Sequence, residues 1–416
     1  MTDRSTRGEN AKPAASPRPR PPTQPHLIRS DAEALEIAKD LAERFWTGAS
    51  DRDRHRRLPW DEIELYTASG LGGITVPRAC GGAEVSFVTV AKVFDILSAA
   101  DPALGQIPQN QFGVLALLRD VGSPEQKRRI YGDILAGYRI GNAGPERGTK
   151  AVTQTTTRLS RGPDGLRLTG RRFYSTGAIF AHWIPTRAVD DEDRPVQVWV
   201  PYNAPGLAVV DDWSSFGQRT TASGSVVFDS VPVDADMVFP VWSYSSRPGL
   251  AGPISQLVQA AIDAGIAAAA VSDTIAFVRD HARPWLDSGA ESASADPTII
   301  HEIGHLQTEL HAAQAVLHEA GAAIDEIILH PVTDASSARA SVAVAEAKIL
   351  TTEIAIEASE KLFDLAGSAA TRSGHNLDRH WRNARVHTLH DPVRWKYHLL
   401  GAYDLNGQFP ARHQWN

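Results

Sequence analysis

The apolar residues of this chain change their repeat twice, and that double change limits the folds it can adopt. From Ser30 the pattern is helical, with Ser30 or Asp31 as an N-cap and Ala34, Leu35, Ala38, Leu41, Ala42 and Phe45 recurring at three and four. Further helices are expected near Asp61 to Ser69, Phe87 to Ala100 and Phe112 to Val121, with turns at Gly72-Gly73 and Gly81-Gly82. Between Gly141 and Val241 the repeat falls to two. Short runs at Thr153 to Leu159, Leu166 to Leu168, Val196 to Val200, Leu207 to Val210 and Val226 to Phe228 are split by Pro163-Asp164-Gly165 and Ala204-Pro205-Gly206. From about Pro253 the helical repeat returns in three long stretches, broken near Ser288 to Pro297 and His330 to Asp334, and a last helix is expected from Trp395 to Tyr403. Ile254, Leu257, Val258, Ala261, Ile262, Gly265 and Ile266 trace one apolar face, and Ala343, Ala347, Leu350, Ile354 and Ala358 another. Their many small side chains let helices approach closely, as in a bundle.

The expectation is therefore an α+β multidomain protein, mainly α. Residues 30–140 form an N-terminal helical domain, 141–243 a middle β-barrel-like domain and 244–416 a C-terminal four-helix bundle. Residues 1–29, rich in proline and arginine and without an apolar run of signal-peptide length, read as a disordered tail.

A chain of 416 residues with 42% hydrophobic side chains buries a sizeable core, which suits an enzyme. Its formal charge of -7 argues against a nucleic-acid or anionic-membrane surface. Cys80 is the single cysteine and cannot form an internal disulfide, so the cytoplasm is the default location. No segment after the tail reads as apolar for the length of a membrane span.

The chemistry concentrates between Leu377 and Pro392, where histidines, aspartates and arginines lead into a turn closed by Pro392. An imidazole exchanges protons near neutral pH, and a neighbouring carboxylate orients it. His390 and Asp391 are thus candidate catalytic groups, although a surface loop capping a helix has the same composition.

Arg382-Asn383-Ala384-Arg385 followed by His390-Asp391-Pro392, closing a helical bundle, resembles the arginine-rich segment and catalytic loop of the acyl-CoA dehydrogenase family. That family has tyrosine, a catalytic glutamate and glycine where this chain has His390, Asp391 and Pro392. The His-Asp-Pro turn is similar to the branch containing dibenzothiophene monooxygenase and sulfur-acquisition oxidoreductases of the sulfone-utilisation type. The resemblance implies a flavin-dependent monooxygenase that oxidises a small organosulfur compound with oxygen, with His390 catalytic and oriented by Asp391. It also implies a homotetramer fed by a separate flavin reductase. The alternative is a flavin dehydrogenase of acyl-CoA type, with Asp391 as base.

The same resemblance assigns the flavin contacts. Gly170 to Gly177 matches the strand beside the flavin ring, making Ser175 and Thr176 contacts, with Thr176 in the place of the branch's catalytic serine. Asn142 to Thr149 matches the loop at the pyrimidine edge, with Asn142 as donor. Trp213 is implied as a wall to flavin and substrate, Arg283 as a phosphate ligand for a neighbouring subunit, and Gly367-Ser368 as a phosphate turn. Ala369 in that turn favours FMN over FAD. Gln111 falls where the dibenzothiophene enzymes carry a histidine, and is the candidate substrate contact. Without the resemblance, Thr176-Gly177 reads as an ordinary strand end, Trp213 as core, and Arg283-Pro284 as a helix stop.

One motif competes. His301-Glu302-Ile303-Gly304-His305 matches H-E-x-x-H, with His311 at the spacing of a third zinc ligand, as in a zinc metallohydrolase. Leu306, Leu310, Ala313 and Val316 continue a single helix through it, however, and on a helix His311 lies about 9 Å beyond His305 and on another face. No metal site is expected.

Overall fold

The computed structural model describes residues 18–148, 154–244 and 246–416. Thr149, Thr153 and the first seventeen positions of the expected tail lie outside the described residues. Ser30 starts the first helix by accepting from the Glu33 amide, giving α1 (Asp31–Trp46). α2 (Ala49–His55) and α3 (Trp60–Ser69) follow, then α4 (Phe87–Ala100) capped by Ser86, α5 (Pro102–Gln106) capped by Asp101, α6 (Gln109–Val121), and α7 (Pro124–Leu135) with a Ser123/Gln126 capping box. Arg52 is buried and paired at 2.9 Å with both Glu62 and Asp101, so one guanidinium ties α2 to α3 and to the α4–α5 junction.

Within the segment read as tail, the described residues are held against the domain. Arg20 carbonyl meets His182 Nε2 at 2.8 Å, His26 N donates to Ala68 O at 2.9 Å, and Gln24 Nε2 donates to Leu135 O at 3.0 Å. Prolines deny this stretch a helix, but its free carbonyls and donors find partners on the domain, so it lies extended across it.

The middle domain carries β1 (Arg158–Gly162), β2 (Gly165–Arg172), β3 (Trp183–Val189), β4 (Pro195–Pro201), β5 (Leu207–Val210), β6 (Ser225–Val233) and β7 (Val238–Phe239). They form one sheet in the order β5-β6-β2-β1-β3-β4-β7, antiparallel except where β1 meets β3. The barrel expected from sequence is not formed: β5 and β7 are open edges. β7 spans two residues and runs into Pro240, which has no N–H to extend a ladder.

The C-terminal part holds α8 (Ala251–Asp280), α9 (Pro297–Ile327), α10 (Asp334–Ala366), α11 (Asp378–His387) and α12 (Arg394–Asn406). α8 packs against α9 and α10, and also against α4 and α6 of the N-terminal domain, so one continuous apolar core joins the two helical parts. Contrary to the sequence reading, α8 is long and apolar enough to cross a membrane, but most of that stretch is enclosed by its neighbours. A helix apolar all round is what the centre of a bundle requires.

Candidate active site

Ser175, Thr176 and Gly177 follow β2 where the strand meets the helices. Gly177 has φ 70°, and a Cβ there would stand 2.9 Å from the Ile107 carbonyl, so glycine lets the α5–α6 junction press against this segment. Asn142 N donates to Thr176 O at 3.1 Å and its side chain to Tyr174 O at 3.3 Å, which brings the two expected flavin segments together. Thr176 Oγ1 shares a 2.7 Å hydrogen bond with Ser223, which also meets Thr221. The Ser175 hydroxyl is buried without a partner. Tyr174 in this segment, and Gln218 and Ala222 in the loop bonded to it, hold positive φ values of 54°, 46° and 48°. Such strain clusters where the surrounding structure fixes a site.

The loop from Trp213 to Gly224 joins this segment to the C-terminal helices. Ser175 N donates to Gly224 O, Gly177 N to Thr221 O, and Gln218 N to Asn383 Oδ1 on α11 at 2.7 Å. Trp213 is half-buried, donates Nε1 to Gln218 O at 2.9 Å, and packs edgewise on Tyr174.

After α11, His390 N donates to His387 O at 3.0 Å, which closes the turn. His390 is exposed at this turn. Desolvation there, with the His387 ring nearby and Asp391 acting in the opposite sense, pushes its pKa down to about 4.

Asp391 does not orient this imidazole. It is buried, accepts no hydrogen bond, and faces Lys396 Nζ at 3.4 Å on α12. The histidine that holds a carboxylate is His387, whose Nδ1 lies 2.5 Å from Asp263 of α8. Asp263 also takes Lys348 Nζ at 2.5 Å and Thr352 Oγ1 at 3.0 Å. Burial alone would raise the Asp263 carboxyl; Lys348 and His387 hold it well below the usual carboxylate range. His387 Nε2 is buried without a partner, and its ring stands 6.0 Å from that of His390. Sequence reasoning missed Asp263, Lys348 and His387. The available signal was one charge inside each of two alanine-rich apolar faces, since charges are not buried unpaired.

Other expected residues stand apart. Gln111 donates to Gly72 O at 2.7 Å and accepts from Ile140 N at 3.0 Å, so each end of its amide is tied to the scaffold. Arg283 is exposed just beyond α8, about 25 Å along the helix from Asp263 by its rise per residue. Gly367 caps α10, and with Ser368 lies exposed at this same end, where Phe277, Leu362 and Ala366 pack together. One chain does not bring these three to Ser175 and His390. His301, His305 and His311 sit along the unbroken α9; His305 faces Glu357 at 3.4 Å, and Glu302 faces Lys361 at 3.5 Å. Among the described residues no three histidine, cysteine or acidic side chains gather as a metal site.

Residues 31–138 match the acyl-CoA dehydrogenase N-terminal domain and residues 257–395 the acyl-CoA dehydrogenase C-terminal domain. The chain belongs to the acyl-CoA dehydrogenase family. Within it, the chain is similar to dibenzothiophene monooxygenase of Rhodococcus qingshengii, with 30% identity over 94% of this chain and 98% of that one. It is also 28% identical to the probable FMNH2-dependent monooxygenase SfnC of Pseudomonas putida, over 91% of this chain and 96% of that one. Among solved structures, FMN-bound TdsC from Paenibacillus sp. A11-2 superposes with a TM-score of 0.88 at 30% identity, covering 92% of this chain and all of that one.

Proposed function

We propose that this chain is a reduced-flavin monooxygenase that uses FMN and oxygen to oxidise a small organosulfur compound. The observation that carries the choice over dehydrogenation is the fate of the carboxylate. Asp391, where a dehydrogenase needs its base, is buried against Lys396, whereas His390 is the titratable group left accessible. FMN fits the residues present. The buried, partnerless Ser175 hydroxyl is a polar group awaiting a ligand, and Asn142 and Thr176 are fixed beside it. These three would hold the ring, with Trp213 as its wall. Reduced FMN supplies the two electrons that split dioxygen, one atom going to the substrate and the other to water.

The chain's own part is to orient the ring, exclude water and manage protons. His390, neutral at physiological pH, exchanges a proton at its ring nitrogen with the oxygen being transferred. A separate reductase supplies the reduced flavin, in keeping with the FMNH2-dependent relative. In the homotetramer that the family resemblance implies, Arg283 and Gly367-Ser368, remote from their own chain's site, would serve a neighbouring subunit's flavin.

The test is to load the protein with FMN, add a reductase and NADH, and follow oxygen incorporation into organosulfur compounds by mass spectrometry. Incorporation of one atom from labelled oxygen is expected. Anaerobic bleaching of bound oxidised flavin by an acyl-CoA would instead establish a dehydrogenase.

A further inference from the structure

We infer that the chain carries a second binding site, apart from the candidate active site, for a phosphate monoester bearing a planar ring, as a nucleoside or flavin monophosphate does. The site is an open groove of about 660 Å³, within the roughly 300–1,000 Å³ usual for small-molecule clefts. Arg54 of α2, Ser215, Phe216 and Arg219 of the loop after Trp213, Ser373, and Arg382 of α11 line it. Asn142, Ser175, Thr176, Trp213, Arg283 and Gly367 do not.

The groove holds more guanidinium charge than its acids neutralise. Arg382 is paired with Asp53 at 2.6 Å and with Asp378, itself in the lining, at 2.7 Å. Arg54 donates to the Ser373 and Gly374 carbonyls at 3.4 and 3.0 Å and meets Asp51 only at 3.8 Å. Arg219 is half-buried and donates Nη1 to the Arg54 carbonyl at 3.3 Å; among the described residues no carboxylate forms an ion pair with it. Arg54 and Arg219 therefore keep N–H groups for a ligand. A phosphate, with several oxygens to accept from such forks, is the anion they match.

The second feature is a ring. Phe216 is 51% exposed, and Trp381, which does not line the groove, lies nearly parallel to it, with centroids 5.9 Å and planes 17° apart. The backbone beneath them is fixed. Arg382 donates to Phe216 O at 2.9 Å, and a Cβ on Gly217 would collide with the Arg382 carbonyl, so loop and helix are in direct contact. An aromatic face held in place beside guanidinium groups is a shelf on which a heterocycle stacks. Phosphate alone would leave the ring unused, and an uncharged heterocycle would leave the guanidinium groups unpaired. A ring carrying one phosphate satisfies both.

The experiment starts from protein saturated with oxidised FMN, without reductant. It is titrated calorimetrically with AMP, adenosine and inorganic phosphate, and in a second arm dialysed against further FMN to count uptake beyond the first molecule per chain. AMP or the further FMN is expected to bind about tenfold or more tightly than adenosine or phosphate. Phe216→Ala should weaken this binding by about tenfold and leave phosphate binding unchanged. Arg219→Ala should weaken it by about tenfold, with Arg219→Lys recovering part. Ser373→Asp, which adds a like charge at an exposed position, should weaken it while the first FMN and the melting temperature hold. No uptake of either compound beyond the first FMN, adenosine bound as tightly as AMP, or undiminished binding in both Phe216→Ala and Ser373→Asp overturns the inference. Release of the first FMN by AMP also overturns it, since the two would then share one site. These titrations involve no oxygen chemistry, so their failure would leave the monooxygenase reading standing, and failure of oxygenation would leave this site standing.

Discussion

Asp263 stands 2.5 Å from His387 Nδ1 and 2.5 Å from Lys348 Nζ, a histidine–carboxylate–lysine chain with every member buried. Such a chain is costly to desolvate and costlier to break, because removing one partner strands the others. Asp263→Asn is expected to lower stability by about 3–5 kcal/mol in urea unfolding. The double variant Asp263→Asn/Lys348→Met, which removes the stranded ammonium, should recover part of that loss. Equal destabilisation of single and double variants would show that the pairing does not set the cost.

Ser175→Ala separates a ligand contact from a fold contact. Its hydroxyl has no partner within the chain, so the flavin-free protein is expected to keep or slightly gain stability. FMN affinity should fall by roughly twofold to tenfold, the worth of one hydrogen bond, read by quenching of flavin fluorescence. A destabilised apoprotein with unchanged flavin affinity would place the hydroxyl in the scaffold instead.

His390→Ala is expected to retain FMN and lose about 10²- to 10⁴-fold in oxygenation rate, the usual share of a positioned proton-transfer group. The measurement is product formation at fixed reduced flavin, with peroxide release followed alongside. Full turnover in this variant would take His390 out of the chemistry.

Acid should loosen the extended N-terminal segment. His182 accepts from Arg139 N at Nδ1 and meets the Arg20 carbonyl at Nε2, which requires the neutral ring with its proton on Nε2. Desolvation pushes its pKa down to about 4. In the unfolded chain the ring titrates near about 6.5, so unfolding takes up a proton between these values. Its contribution is therefore complete above about pH 6.5 and declines as pH falls towards 4. Melting temperature across this window should fall less steeply in His182→Gln, and proteolysis after residues 18–29 should appear first in acid for the unmodified chain. Parallel slopes would exclude His182 as the sensor.

Gly177→Ala tests the contact between strand and helices. A positive φ and the Ile107 carbonyl 2.9 Å from the added Cβ both oppose it. A loss of about 1–3 kcal/mol is expected, with weaker flavin binding, because the shift falls on Thr176 and Ser175. Retained stability and flavin affinity would mean that the junction is softer than its geometry implies.

The helical expectations at Phe87 to Ala100 and Asp61 to Ser69 match α4 and α3 closely, since apolar repeats and the Ser86 cap are local signals. Sheet closure was not legible: pairing β5 with β7 depends on partners far apart in sequence, and a repeat of two is the same in a barrel and an open sheet. The candidate site offered local signals for some of its residues and none for others. His390, Ser175, Thr176 and Asn142 stand in motifs, whereas the link of His387 to Asp263 spans 124 residues and leaves no local pattern. The scaffold bonds of Gln111 to Gly72 and Ile140 were likewise not legible, since a motif position says nothing about where an amide's partners lie.

α8 lies at the centre of both helical parts, yet it begins only at Ala251. During synthesis, α4 and α6 leave the ribosome well before the helix that covers them, with their apolar faces open to water or to a chaperone. Folding of the joined helical parts must therefore wait for α8, and those two parts are expected to unfold together, whereas the middle sheet has a core of its own.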